Sequence, residues 1–270
     1  MNQKDFINNY NFKFKKKFGQ NFLLDDNVLN NIVNSANIDK KTLVIEIGCG
    51  AGALTRKILE HTDMVVGYEI DETLTPILST IEKAKILFKD FLKANVKADI
   101  NEYNYDRLYV VANLPYYITT PIINKIITDN LEVDKIVVMV QKEVGDRFLA
   151  KPNTKEYNSL SIFINYYYDV KKMFLVSKNV FMPKPNVDSV VISLSKKDKK
   201  INILDENLFF KLIKDSFVQK RKTLKNNLKN YNFDLINQVL KEHNYSDDVR
   251  AEALPIEIFA EISNKLSQNT

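Results

Sequence analysis

Residues 43–52 read Leu43-Val44-Ile45-Glu46-Ile47-Gly48-Cys49-Gly50-Ala51-Gly52. A run of bulky apolar residues meets three glycines within five positions, and a helix-period pattern follows over Gly52–Glu60. The chain has only six glycines, so this concentration is informative. Glycine is kept where the backbone needs positive φ or where another group must come close. A strand, a glycine loop and a helix in that order put the loop at the carboxyl end of the strand, where open α/β sheets bind ligands. A tight strand–helix turn without a ligand would use the same residues.

Working outward, strand-like runs alternate with helical patterns from Leu43 to Val140, the signature of a parallel sheet wound with helices. The strands are expected at Leu43–Ile47, Met64–Tyr68, Ile86–Phe88, Leu108–Val111 and Ile136–Val140. Helices are expected at Gly52–Glu60, Glu72–Ile81, Thr119–Asp129 and Gln141–Leu149. Runs such as Val137-Val138-Met139-Val140 suit strands covered on both faces. Three further strand candidates follow, Ser161–Tyr167, Met173–Val176 and Val187–Leu194, the last two read as a hairpin on the sheet edge. The composition then shifts at Ser195-Lys-Lys-Asp-Lys-Lys200, taken as a linker. Beyond it a 3.6-residue period dominates, in Leu208, Leu212 and Ile213, in Leu224 and Leu228, over Phe233–Leu240 and over Ile256–Leu266. Pro255 is expected at the first turn of the last helix. The reading is an α/β domain over residues 1–195 and a small helical domain over residues 201–270.

At 45% hydrophobic and 27% charged residues, the chain has the composition of a packed soluble protein. No apolar stretch approaches the ~18 residues that span a bilayer, and the N-terminal lysines precede no signal-like apolar run. A cytoplasmic protein is expected. The single cysteine, Cys49, can form no internal disulfide, and the two histidines, His61 and His243, are too far apart for a usual metal-site spacing. No metal is expected, and Cys49 reads as a small filler of the loop. The net charge of +5 is modest, but its distribution is not even. Lys13, Lys15, Lys16 and Lys17 alternate with Phe12, Phe14 and Phe18. Lys211, Lys214, Lys220, Arg221, Lys222, Lys225 and Lys229 are opposed locally only by Asp215. Such clusters read as phosphate-contacting surfaces, with Lys220, Arg221 and Lys222 the candidate RNA contacts; a solvated helix face is the plainer alternative.

A dinucleotide site wants Gly-x-Gly-x-x-Gly facing a pyrophosphate. The spacing here is Gly-x-Gly-x-Gly, preceded by Glu46. S-adenosylmethionine carries no phosphate and needs close backbone approach to its amino-acid and sugar parts, which Gly48 and Gly50 would allow. Glu69 closes the second strand, where a carboxylate meets a ribose diol. Asp90 follows the third, where it could accept from an adenine amine. After the fourth strand comes Asn113-Leu114-Pro115-Tyr116. An exocyclic amine on a planar base is a poor nucleophile, because its lone pair is delocalised into the ring. Two acceptors aimed at its protons, the Asn113 side-chain carbonyl and the Leu114 backbone carbonyl held by Pro115, would orient it. Tyr116 would give the base a stacking face. An ordinary turn could also be built from Asn and Pro.

With these motifs stand Phe18-Gly-Gln-Asn-Phe-Leu23, Val44 to Thr55, Tyr68-Glu-Ile-Asp71, Lys89-Asp-Phe91, Ala112 to Tyr116, Val140-Gln-Lys-Glu-Val144, Phe181-Met-Pro-Lys-Pro-Asn-Val-Asp-Ser189 and Arg221 to Leu228. Together they resemble the small-subunit ribosomal RNA adenine dimethyltransferases of the KsgA type, over nearly the whole chain. The resemblance implies a Rossmann-like S-adenosylmethionine-dependent methyltransferase domain and a C-terminal helical domain that engages rRNA. It implies cofactor contacts at Asn21, Leu23, Gly48, Glu69, Asp90 and Asn113. It also implies that Phe181 is a second aromatic against a flipped base, core packing beside Pro183 being the alternative. The implied product is two dimethylated adjacent adenines near the 3′ end of small-subunit rRNA; the expected partner is the pre-30S particle, and a monomer is expected. Related classes are the large-subunit rRNA adenine methyltransferases that give macrolide resistance and non-catalytic RNA or transcription factors of the same fold. Leu114, Thr119-Thr-Pro121 and the Arg221–Leu228 run favour the small-subunit branch. The intact loop, both acids and the tetrapeptide favour a live enzyme.

Overall fold

The computed structural model describes residues 14–15, 18–115, 118–198 and 201–269. The chain forms two compact units. One ends at Gly145 and resumes over Lys171–Lys196; the other comprises Asp146–Val170 and the chain from Lys197 onward.

The strands are β1 (Phe22–Leu23), β2 (Thr42–Ile47), β3 (Val65–Glu69), β4 (Lys85–Phe88), β5 (Arg107–Asn113), β6 (Lys135–Gln141), β7 (Tyr168–Val176), β8 (Phe181–Met182) and β9 (Ser189–Lys196). Among the described residues they build a seven-stranded sheet in the order β4-β3-β2-β5-β6-β9-β7, and β1 pairs with β8 beside it. β2 to β6 run parallel, with Ile47 opposite Tyr68 and Ile45 opposite Val110, while β9 runs antiparallel to β6. Every residue of β2 is buried, as expected for a strand covered on both faces. From β2 the sheet grows through β3 to β4, and the chain then returns to add β5 and β6 on the other side of β2. The loops after β2 and β5 therefore part company at the carboxyl edge, which opens a crevice there.

All five parallel strands lie where the apolar runs put them, and β7 and β9 neighbour each other as the expected hairpin does. Three expectations change. The helix expected over Glu72–Ile81 is a 3₁₀ turn at Glu72–Leu74 followed by a short helix at Thr75–Leu78. Pro76 has no N–H to donate, so regular α-helical bonding cannot run through it. The strand expected over Ser161–Tyr167 is a helix, Ser159–Tyr167. Its start is fixed by a capping box, in which the Asn158 side chain accepts from the Ser161 amide and the Ser161 hydroxyl accepts from the Asn158 amide. A helix over Asp26–Ala36 was not expected at all. Asp25 caps it and Leu29, Ile32, Val33 and Ala36 form its buried face.

The second unit is helical, with Glu206–Ser216, Leu224–Asn227, Phe233–Glu242 and Ile256–Ser267 joined by Ser159–Tyr167. Tyr157, Ile162 and Tyr166 share a core with Phe209, Leu240 and Phe259. This shared core is why residues 146–170 belong to the helical unit and not to the α/β unit, where the 1–195 boundary had put them. Pro255 stands one residue earlier than expected, as the N-cap of the last helix.

Candidate active site

The crevice is lined from four places in the first unit: the 18–23 segment, the loop after β2, the ends of β3 and β4, and the turn after β5. Asn21, Leu23, Gly48, Gly50, Glu69, Asp90, Asn113, Leu114 and Pro115 all face this one cleft. Residues up to 94 positions apart thus close into a single site.

Gly48 and Gly50 have φ of +78° and +53°, which a side chain rarely tolerates. A Cβ on Gly50 would also stand 3.2 Å from the Phe22 ring. Glu69 holds this loop in place. Its Oε2 accepts from the Gly50 amide at 2.8 Å, and its Oε1 accepts from the amides of Ile70 and Asp71 at 2.8 and 2.9 Å. A carboxylate offers about four lone-pair sites, so three amides leave room for a further donor from the cleft. Burial pushes the Glu69 pKa up, against the pull of those amides. Asp90 caps the turn after β4, with Oδ1 accepting from Leu92 N at 3.0 Å.

Asn113 ends β5. Its Nδ2 donates to the Asn21 carbonyl at 3.2 Å. A carbonyl can only accept, so this bond fixes which end of the amide is which. Oδ1 is left as an acceptor to which no described residue donates. The Leu114 amide donates to the Met139 carbonyl at 3.2 Å, and Pro115 stiffens the turn. The Cδ of Pro115 would lie 3.8 Å from a Cβ on Gly48, so the glycine loop and the Asn-Leu-Pro turn are near neighbours.

One cleft residue was passed over in the sequence. Glu46 is 1% exposed, and its Oε2 has no hydrogen-bond partner among the described residues. Burial raises its pKa to about 8; the nearby Thr55 hydroxyl offsets part of this, and the Glu69 charge reinforces it. A signal existed: Glu46 is the only charged residue in a strand otherwise made of Thr, Leu, Val and Ile.

Of the remaining predicted residues, Phe181 and the basic run fall outside this lining. Phe181 is 5% exposed, pairs with Leu23 across β1 and β8, and packs into the core with Leu29 and Met139. It lines no part of the cleft, so core packing, not base stacking, describes it here. Tyr116 lies outside the described residues, as do Phe12, Lys13, Lys16 and Lys17. Lys220, Arg221 and Lys222 are exposed in the second unit. Lys211 is already taken up by Asp215 at 3.0 Å and the Tyr231 hydroxyl at 3.0 Å.

A family model described as ribosomal RNA adenine dimethylase matches residues 11–268. The chain belongs to this family. It is 45% identical to ribosomal RNA small subunit methyltransferase A of Macrococcus caseolyticus strain JCSC5402, over 98% of this chain and 94% of the relative. Identity is 48% to the protein of that name from Bacillus cytotoxicus strain DSM 22905, over 97% and 94%. Among solved structures it resembles a dimethyladenosine transferase from Plasmodium falciparum, with a TM-score of 0.73 and 25% identity, covering 89% of this chain and 95% of that one. The 23S rRNA methyltransferase ErmE shares the fold, with a TM-score of 0.69 at 20% identity over 92% of this chain and all of that one. This dimethylase-family chain is thus a methyltransferase that uses S-adenosylmethionine. Its cleft suits that cofactor. The unpartnered, buried Glu46 oxygen matches a cationic ammonium, the Glu69 lone pairs match a sugar diol, and Asp90 matches an exocyclic amine.

Proposed function

We propose that this enzyme dimethylates the N6 amines of two adjacent adenines near the 3′ end of small-subunit rRNA. It would act as a cytoplasmic monomer on the pre-30S particle. The observation that carries the reading is the Asn113 amide in the cleft, whose donor end is anchored to Asn21 and whose acceptor end takes no donor from a described residue. Glu46, Gly48, Gly50, Glu69 and Asp90 would hold S-adenosylmethionine, with Asn21 and Leu23 closing over it from the N-terminal side. When bound, the cofactor supplies an electrophilic methyl group. Asn113 Oδ1 and the Leu114 carbonyl accept from the target amine and draw its lone pair out of conjugation. No strong base is needed, because the amine can lose its proton after attack. The bulk of the rate gain is then positioning. Tyr116 is assigned the stacking role, since Phe181 is buried.

Primer extension on rRNA from cells with and without the gene tests the assignment. Dimethylated adenines lack a Watson–Crick donor and stop the reverse transcriptase. Stops near the 3′ end of small-subunit rRNA should disappear with the gene. An unchanged pattern there, or lost stops in large-subunit rRNA, would refute it.

Glu69→Ala should weaken binding of S-adenosylhomocysteine by about 1–3 kcal/mol, the scale of a lost hydrogen bond to a charged group. The substitution also frees the Gly50 amide, so both the contact and the loop geometry suffer. Equilibrium dialysis measures this directly, and unchanged affinity would remove Glu69 from the site.

The helical unit is assigned to rRNA. Arg221 and Lys222 are exposed and make no ion pair with a described residue, whereas Lys220 Nζ donates to the Lys155 carbonyl. Replacing Lys220, Arg221 and Lys222 by Gln should flatten the salt dependence of RNA binding by roughly one log-slope unit per lost phosphate contact. Cofactor affinity should stay as it is. A slope equal to that of the parent protein would return these residues to a solvated surface.

A further inference from the structure

The turn that closes β3 carries two buried carboxylates. Glu69 faces the cleft. Asp71 is 2% exposed and lines no part of it. Its oxygens instead hold the N-terminal segment. Oδ1 accepts from Lys15 Nζ at 2.6 Å, and Oδ2 accepts from Gln20 Nε2 at 2.7 Å. Lys15 Nζ also donates to Thr73 Oγ1 at 3.1 Å, and the Lys15 amide donates to Gln20 Oε1 at 2.8 Å. The three side chains thus form a closed clasp between the start of the chain and the β3 turn.

The clasped segment carries cleft residues. Gln20, Asn21 and Leu23 line the crevice. Beyond the clasp, the segment is held by the bond from Asn113 to the Asn21 carbonyl and by the β1–β8 ladder. Helix capping alone does not account for Asp71. Its Oδ1 accepts from the Thr73 amide at 3.2 Å and from the Thr73 hydroxyl at 2.7 Å, which satisfies the cap with one oxygen. The second oxygen and the lysine charge go to the segment. An exposed ion pair would count for little. Here the carboxylate is almost fully enclosed, so loss of its partners leaves a buried charge uncompensated.

We propose that Asp71 is a positioning residue for cofactor binding: through Lys15 and Gln20 it fixes the 18–23 segment as one wall of the cofactor cleft. This rests on the reading of the cleft as the S-adenosylmethionine site. Asp71 touches neither substrate nor cofactor. It acts on how tightly the wall is held, not on the methyl transfer.

The test uses the full chain and Asp71→Asn, which keeps one oxygen for the Thr73 cap and loses the charge and the second acceptor. Three quantities are read: S-adenosylhomocysteine affinity by equilibrium dialysis, amide hydrogen exchange without ligand, and the split between KM and kcat. The variant should bind S-adenosylhomocysteine about tenfold more weakly, as for a lost charged hydrogen bond. Its KM for the methyl donor should rise by about the same factor, with kcat at saturation within about twofold. Exchange should quicken at Phe22–Leu24 while β2 and β5 keep their protection. Wild-type affinity in the variant would overturn the proposal, and so would loss of protection in β2 and β5 along with the segment. If Asp71→Asn does not fold, Lys15→Met, which replaces a side chain outside the cleft lining, must show the same pattern or the proposal fails. No binding of S-adenosylhomocysteine to the wild-type protein would instead overturn the cofactor reading itself.

Discussion

Asn113→Ala should lower single-turnover methylation about 10²–10³-fold while RNA affinity changes little. The scale is that of removing one preorganised polar partner from a transition state. Asn113 Oδ1 meets the amine most strongly when the nitrogen pyramidalises, so the loss falls on turnover and not on ground-state binding. Asn113→Asp is the sharper variant. It keeps an acceptor for the amine but replaces the donor that binds the Asn21 carbonyl at 3.2 Å. A carboxylate oxygen against that carbonyl repels it, so this variant should also be poor and should loosen the hold on the 18–23 segment. Single-turnover rates and RNA binding on one rRNA substrate decide the matter. Near-normal turnover in Asn113→Ala would rule out the amine-orienting mechanism. High activity in Asn113→Asp would show that the bond to Asn21 is dispensable.

Wild-type stability should fall between about pH 5 and pH 8 more steeply than that of Glu46→Gln. The sign follows from the raised Glu46 pKa of about 8 against an ordinary 4.5. Within that window the folded protein keeps the proton and the unfolded chain has released it. Rising pH therefore favours the unfolded state, and the penalty grows until the folded pKa is passed. A shift of this size corresponds to a cumulative penalty on the order of 5 kcal/mol. The glutamine variant cannot ionise and lacks this component of the slope. Urea midpoints at pH 5, 6, 7 and 8 for both proteins measure it. Parallel curves would mean that Glu46 ionises in the folded state without cost, which would contradict its enclosure beside Glu69.

The parallel strands were legible because burial on both faces forces near-continuous apolar runs, and turn residues bound each one. The glycine loop was legible because positive φ restricts the residue type. The acids and Asn113 were legible because each stands at the end of such a run. Other elements were not. Ser161–Tyr167 has apolar residues at alternate positions and also at helical spacing through Ile162 and Tyr166, so periodicity alone does not choose between strand and helix. The helix Asp26–Ala36 had its signals in Asp25 and in the spacing of Leu29, Ile32, Val33 and Ala36, and they went unread.

What the sequence determined by itself was local: which segments form the parallel strands, where the backbone must turn sharply, and which side chains stand at the strand ends. It also carried the motifs that identify the family. Tertiary structure decided what depends on contacts between distant residues. The return of the chain to lay β5 beside β2 brings Asn113 to the glycine loop. Pairing of β1 with β8 buries Phe181. The bond from Lys15 to Asp71 joins positions 56 apart. A common core assigns residues 146–170 to the helical unit. The physical reason is the same each time. Backbone preference and hydrophobic period act within a few residues, whereas burial, charge pairing and side-chain hydrogen bonds depend on what the folded chain places alongside.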